Sequence, residues 1–455
     1  MNQIDELLRV YQEEDIKRIK LAFIDIDGVH RGKYVSIEKF EGILKDGGGF
    51  CDCVLGWDMN DQLYDHAQYT GWHTAFPDAK YKVDLRSERR LKDENNTPLF
   101  LIDFVDEEGG LHPICPRSVF KRVLRQADQM GYAVQLAFEY EFFVFNETSQ
   151  SVRDKGYQNL IPISPGNFGY SLLRTNVFSD LFHEFQDYCD DLGIEIEGIH
   201  CETGSGVWEA ALRYCDAQEA VDRAALFKTF TKSFFQKRGM IVTFMAKWSM
   251  DFPGQSGHIH QSLLNRDGKN VFFDQDGEHL MSSQMKHYLA GQVEYLKELL
   301  PMCAPSINSY TRLVKGAWAP TTSSWGVENR TTSFRVIPGS EKSQRVEFRL
   351  GSADANPYLA AAAMLGAGLA GIKDSLDLPA RMTGNAYEQE DGLDEHYQLS
   401  SNLRDATRCF KNSKKAIEIL GEEFVEHFTA SRLWEVREYE KQVTQWQLER
   451  YFEII

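Results

Sequence analysis

Two glutamates, Glu139 and Glu141, stand inside a run that otherwise reads as β-strand, YAVQLAFEYEFFVF (residues 132–145). Side chains on a strand alternate faces, so residues two apart share one, and both carboxylates project into a single volume. An ionised carboxylate held unpaired in an apolar interior is costly enough that it would rather neutralise. That face is therefore either open to water, as on one side of an antiparallel sheet, or built around a partner of opposite charge.

Further segments repeat the pattern. In HCETGSGVWEAAL, Glu202 and Glu209 flank a Gly-containing turn that leads into an expected helical run, where helix capping is the ordinary role of such residues. In SGHIHQSLLN, His258 and His260 are two apart on an expected strand and present both rings to one face, a pairing suited to metal ligation. In SQRVEFRLG, Arg345, Glu347 and Arg349 share one face, while Val346, Phe348 and Leu350 anchor the other in a core. Arg330 and Arg335 lie in WGVENRTTSFRVI, and guanidinium forks suit phosphate and carboxylate oxygens. A donor set dominated by oxygen favours Mg²⁺ or Mn²⁺ over zinc. Acid clusters beside arginines are what phosphoryl transfer requires, because that chemistry is mainly positioning and charge neutralisation. No GxxxxGK[ST] loop is present, so a nucleotide would be held without one.

The elements that must position these groups fall into two stretches. Up to Phe104 the chain is rich in short strand-like runs (LAFIDIDG, GKYVSI, FCDCVLGW, PLFLIDFVD), with helical pattern in the first turns and in SIEKFEGIL. A boundary is expected near residue 112, followed by an amphipathic helix capped by Ser118 and ending at Gly131. Beyond it, helices are expected at 177–192, 218–238, 282–302, 357–375, 412–428 and 433–452, giving an α+β pattern of an antiparallel sheet backed by helices.

The 455 residues are enough for one large core and a smaller domain. A formal charge of −18 disfavours broad attraction to nucleic acid or anionic membranes, which makes a local arginine cluster more telling. The acidic, amphipathic start has no signal-peptide core, and YLAAAAMLGAGLAGI (residues 358–372) is too short for a membrane span and reads as a buried helix. Eight scattered cysteines without a CxxC pair read as reduced thiols in a cytoplasmic protein.

In order, FEYEFF, HCETGSGVWE, GHIHQSL, INSYTRLV, NRTTSFRV, RVEFR and DANPYLA resemble class I glutamine synthetases over nearly the whole chain. The resemblance implies a small β-grasp domain (1–111) followed by a catalytic domain (112–455). It implies two or three Mg²⁺ (or Mn²⁺) ions per site, with Glu141, Glu202 and Glu209 on the substrate side and Glu139, His258 and Glu347 on the nucleotide side. Arg312, Arg330 and Arg349 match residues that hold glutamate and the transferring phosphate, and Gly254 falls where the family contacts glutamate. Arg335 and Arg345 match arginines on the ATP phosphates, and His260 and Ser262 lie where the family packs against ATP. The family's active sites form between subunits, which implies a homo-oligomer, a dodecamer of two rings. The implied reaction is attack of a glutamate γ-carboxylate on ATP, then attack of an amine on the γ-glutamyl phosphate.

The chain departs from that pattern around the amine. KGAWAPTTSSWG places Trp318 where the family carries a flap glutamate, Pro253 replaces an asparagine, and GWDMNDQLYD offers Asp58 as the counterpart of an ammonium-site acid. Loss of a carboxylate removes a counter-charge for ammonium, and an indole offers a flat face to a carbon-bearing amine. The expected activity is a γ-glutamyl amide ligase using an organic amine, with a divergent ammonia-using glutamine synthetase as the alternative. A non-catalytic relative would have shed metal ligands, and a metal hydrolase would have little use for so many arginines.

Overall fold

The computed structural model describes residues 3–166 and 168–455. After a first helix (Gln3–Glu13), six strands between Arg18 and Phe104 form a mixed sheet. The strand Arg18–Ile24 runs antiparallel to His30–Ser36 and parallel to Thr97–Phe104. SIEKFEGIL forms the helix Ile37–Asp46. The Ser36 hydroxyl accepts from the Lys39 amide at its start, and Gly47, at φ 79°, ends it. Tyr11, Phe23, Phe40, Phe100 and Phe104 fill the core of this part. FCDCVLGW is a strand only to Cys51; the Asp52 amide then donates to the Pro77 carbonyl and the chain turns through Asp52–Leu55.

The next helix spans Pro116–Gln129, and Ser118 does not cap it. Pro116 takes the first turn, where its missing N–H costs nothing. Ser118 is buried inside the helix and donates to the Phe104 carbonyl at 3.3 Å. Arg117 in the same turn is buried between Asp222 (2.7 Å) and Asp84 (2.9 Å), tying the first sheet to the helix Ala217–Gln236.

Nine strands make the second sheet. Its main path runs Trp325–Val327, Phe334–Ile337, Arg345–Phe348, Gly257–Leu264, Ala133–Phe145, Val207–Leu212 and Ile196–Cys201. Every pairing is antiparallel except that of the first two. Along the 13-residue central strand Ala133–Phe145, Val134, Leu136, Phe138, Tyr140 and Phe142 are buried, and the alternate residues Gln135, Ala137, Glu139 and Glu141 are half-buried. The apolar face packs on the helices Ala217–Gln236, Ser283–Cys303 and Pro357–Lys373. The Ala/Gly-rich segment is, as expected, a buried helix: a Cβ on Gly371 would lie 2.2 Å from the His287 carbonyl oxygen, and one on Gly291 2.2 Å from that of Ala367. Only glycine lets these two helices approach so closely.

Four expected helices appear nearly as read, at Ser179–Asp191, Ala217–Gln236, Ser283–Cys303 and Pro357–Lys373. The others are cut differently. The last two become Lys414–Leu420, Glu422–Glu440 and Gln445–Tyr451, and Leu403–Asn412 precedes them as a helix not expected from the sequence. Ser413 caps a new start by accepting from the Ala416 amide, Gly421 at φ 90° breaks the next, and Thr444 with Gln447 forms a capping box. Apolar periodicity ran across all three breaks. Among the described residues no helix is long and apolar enough to cross a membrane.

Candidate active site

Strand register alone gathers the charged residues. Glu139 lies opposite His258, and Glu141 opposite Glu209. His260 lies opposite Glu347, which in turn faces Arg335. Paired residues share a face, so all of these project from the side of the sheet away from the helices. The expectation of a helix after the turn in HCETGSGVWEAAL is overturned: residues 207–212 are a strand hairpin-paired with Ile196–Cys201, and Glu209 is a sheet residue, not a cap. Alternating VWEAAL places Trp208, Ala210 and Leu212 in the core, and that burial outweighs the helical propensity of its alanines.

His258 Nδ1 is 3.2 Å from Glu139 Oε2 and 3.6 Å from Glu347 Oε1. His260 Nε2 is buried 3.0 Å from Glu139 Oε1 without an aligned hydrogen bond, while its Nδ1 accepts from Arg345 Nε at 3.2 Å. Among the described residues, three groups have ligand atoms close enough to share an ion: Glu139–Glu209–His258, Glu139–His260–Glu347 and His200–Glu202–Glu209. Glu141 is in none of these; its Oε2 accepts from the Ser256 amide at 2.5 Å. Burial, together with the charges of Glu141, Glu139 and Glu202, pushes the Glu209 carboxyl up to about 9. Burial also raises Glu347, but His258 and Arg349 outweigh it and bring the carboxyl down to about 2. Glu139 is likewise held well below the usual range against burial by His258 and His260. Crowded carboxylates and an imidazole nitrogen without a bonded partner fit a hard divalent cation.

The arginines divide by burial. Arg312 is buried and pinned, with Nη1 donating to the Leu350 carbonyl at 2.7 Å and Nη2 to Ser256 Oγ at 3.0 Å. Gly254 packs against its stem, since a Cβ there would lie 2.6 Å from Arg312 Cγ. Arg349 Nη1 and Arg335 Nη1 hold the two oxygens of Glu347 at 2.5 and 3.0 Å, and Arg335 also pairs with Glu328. Arg330 is exposed, and its carbonyl accepts from Arg349 Nε at 3.3 Å. A cleft of about 630 Å³ is lined by Glu139, His260, Ser262 and Arg345, together with Tyr214 and Lys342.

Two expected residues lie apart from this cluster. Asp58 accepts from the amides of Asn60 and Gln62 and from Trp434 Nε1 at 3.1 Å, so its carboxylate serves its own turn and a C-terminal helix. Trp318 is 68% exposed at φ 58° in the loop that leaves Arg312. His200 went unnoticed in the sequence, although it stands two residues before Glu202 on the same face. Its Nε2 is 2.9 Å from Glu202 Oε2, and that bond holds the Glu202 carboxyl below its usual range. Tyr170 stacks on His200 with ring centroids 4.3 Å apart; no spacing signal marks it, because it comes from a loop.

Residues 113–451 match the glutamine synthetase catalytic domain. The chain belongs to the glutamine synthetase family. Membership makes it a carbon–nitrogen ligase. Type-1 glutamine synthetase 2 of Dictyostelium discoideum is 43% identical, covering 100% of this chain and 87% of its own length. Glutamate–isopropylamine ligase of a Pseudomonas species is 35% identical over 100% of this chain and 98% of its own. The solved structure of GmaS without ligand superposes with a TM-score of 0.85 at 28% identity, covering 98% of this chain and 99% of that one. Relatives of this chain thus include one named as a glutamine synthetase and one named as a ligase of glutamate with isopropylamine.

Proposed function

We propose that this glutamine synthetase family member joins glutamate to an organic amine at the expense of ATP. The reading of the amine is carried by Trp318 standing in a loop where a flap carboxylate is the family pattern, and is supported by the similarity to glutamate–isopropylamine ligase. Glutamate would be oriented by Arg312, Arg349 and Gly254, and Arg330 at the rim would meet the transferring phosphoryl group. Arg335, Arg345, His260 and Ser262 would hold the ATP side. Glu139, Glu141, Glu202, Glu209, His258 and Glu347 would hold Mg²⁺ or Mn²⁺, with His200 orienting Glu202. When bound, these cations supply charge neutralisation to the phosphates.

In the first step the glutamate γ-carboxylate oxygen bonds to the terminal phosphorus and the bond to ADP breaks. In the second, the amine nitrogen bonds to the acyl carbon, phosphate leaves and the nitrogen loses a proton. The pinned Arg312 and Arg349 would keep the carboxylate in place through both steps, so that reacting atoms meet in line. Asp58 is bound within its own chain, and a part in the amine site would require it to reach a neighbouring subunit, as in the inter-subunit sites and dodecamer we propose. The division into a β-grasp domain (1–111) and a catalytic domain (112–455), and a cytoplasmic setting, belong to the same reading.

Ammonia is the second reading, favoured by the 43% identity to a protein named glutamine synthetase. Phosphate release with glutamate and ATP against ammonia, alkylamines, ethanolamine and polyamines separates the two. An organic amine should give the highest kcat/KM; if ammonia does, the Trp318 argument fails.

A further inference from the structure

A second cleft, of about 690 Å³, lies between the turn preceding the His30–Ser36 strand and the helix Ala217–Gln236. It shares no lining residue with the cleft that holds Glu139 and His260. Lys228 and Lys232 line it four residues apart, on one helix face, flanked by Thr229 and Ser233. Lys228 is buried, and its Nζ donates to the Ala355 carbonyl at 2.9 Å. Its ammonium lies 5.8 Å and 5.9 Å from the rings of Tyr140 and Phe244, and that of Lys232, at the solvent-accessible mouth, 5.7 Å from Phe244.

The acids that line this cleft are already engaged. Asp27 pairs with Arg432, and Asp354 accepts from Ser306 Oγ at 2.6 Å and Ser309 Oγ at 2.9 Å. Lys237 is paired with Asp93 at 2.5 Å. Among the described residues, Lys228 and Lys232 have no carboxylate within ion-pair distance. On the opposite wall His30 Nδ1 meets Thr229 Oγ1 at 2.8 Å, and its buried Nε2 has no partner. A structural lysine satisfied by one carbonyl explains Lys228 alone. It does not explain a second ammonium on the same face, whose repulsion, added to burial, outweighs the attraction of Asp354 for Lys228. Burial, then Lys232, pushes Lys228 down to about 7.

We propose that this cleft is a binding site for a small organic anion, whose carboxylate or phosphate end is held by Lys228 and Lys232 with the hydroxyls of Thr229 and Ser233. Val29, Met59, Phe244 and Met245 offer apolar surface to its carbon part, and the volume suits a small metabolite. The site is separate from the ligase centre and needs none of its residues.

The test uses the full chain and pyridoxal 5′-phosphate, whose aldehyde condenses with an unprotonated lysine amine with loss of water. Borohydride reduction fixes the product, and mass spectrometry of peptides locates it. Lys228 or Lys232 should label about tenfold faster than exposed Lys414. Inorganic phosphate or succinate at millimolar concentration should slow that labelling and leave Lys414 unaffected. Protection by phosphate alone identifies a phosphoryl ligand, by succinate alone a carboxylate, and by both a site that reads only the anionic end. K232M, altered at the open mouth, should keep the wild-type Tm and lose protection at Lys228. Labelling no faster than at Lys414, protection by neither anion, or protection at Lys228 that survives in K232M overturns the proposal.

Discussion

Gly254→Ala isolates the contact that pins Arg312. The backbone at Gly254 lies outside the left-handed region, so the effect of a methyl group is steric. That Cβ would stand 2.6 Å from Arg312 Cγ, 2.9 Å from Cδ and 3.0 Å from the Ala246 carbonyl oxygen. An ordinary carbon contact needs about 3.5 Å or more, so the arginine stem must retreat by roughly 1 Å. It is buried and fixed at its far end by the Leu350 carbonyl at 2.7 Å and Ser256 Oγ at 3.0 Å, and the same retreat carries at least one of them out of hydrogen-bond reach. Overpacking costs about 1–3 kcal/mol and a charge-assisted hydrogen bond about 1.5–3 kcal/mol. With partial relaxation the variant should lose about 2–4 kcal/mol, read as a lower midpoint in denaturant. A displacement of this size in a substrate-holding group should lower kcat/KM for glutamate about a hundredfold. Phosphate release at varied glutamate, with ATP saturating, measures it. Wild-type stability would refute the packing argument, and lost stability with unchanged glutamate kinetics would remove Arg312 from the substrate site. Gly42→Ala is the control: a Cβ there meets nothing within 4 Å, in the helix Ile37–Asp46, and should stabilise by about 0.5–1 kcal/mol.

Glu139→Ala and His258→Ala should each abolish metal-dependent ATP turnover, because Glu139 belongs to two of the shared-ion groups and His258 joins it in one of them; phosphate release retained in either variant counts against the assignment. Arg432→Ala should cost about 3–5 kcal/mol in a denaturant titration, because it leaves Asp27 buried without its partner and frees the Pro305 carbonyl. Burial lowers His112 and His427 to about 4, so both are neutral in the fold and charge more readily when unfolded. Their contribution is complete above about 6.5 and is lost as pH falls toward 4, by up to about 3 kcal/mol each. His427→Gln should flatten the decline in unfolding free energy across that window, and an unchanged slope would show that His427 is not its source.

What the sequence determined by itself was local. Period-two alternation put Glu139 with Glu141, His258 with His260 and Arg345 with Glu347 and Arg349, each pair or row on one face, and those assignments need no knowledge of neighbouring strands. The same locality explains the errors. A methylene-rich or alanine-rich stretch carries helical pattern whether or not a turn interrupts it, so the breaks at Ser413, Gly421 and Thr444 passed unnoticed, and VWEAAL was read as a helix. Which row meets which was decided only in three dimensions. His260 reaches Glu347 because strands 85 residues or so apart in sequence are paired, and Glu209 reaches Glu141 through a different strand on the other side. The tertiary fold also brought His200 to Glu209 across a hairpin and laid Tyr170 over its ring. It set Asp58 against Trp434 and placed two unpaired lysines in a cleft that no motif announced. Backbone sterics write the face of a side chain into each short segment, whereas burial of the shared apolar face chooses the strand order, and that choice depends on the whole chain.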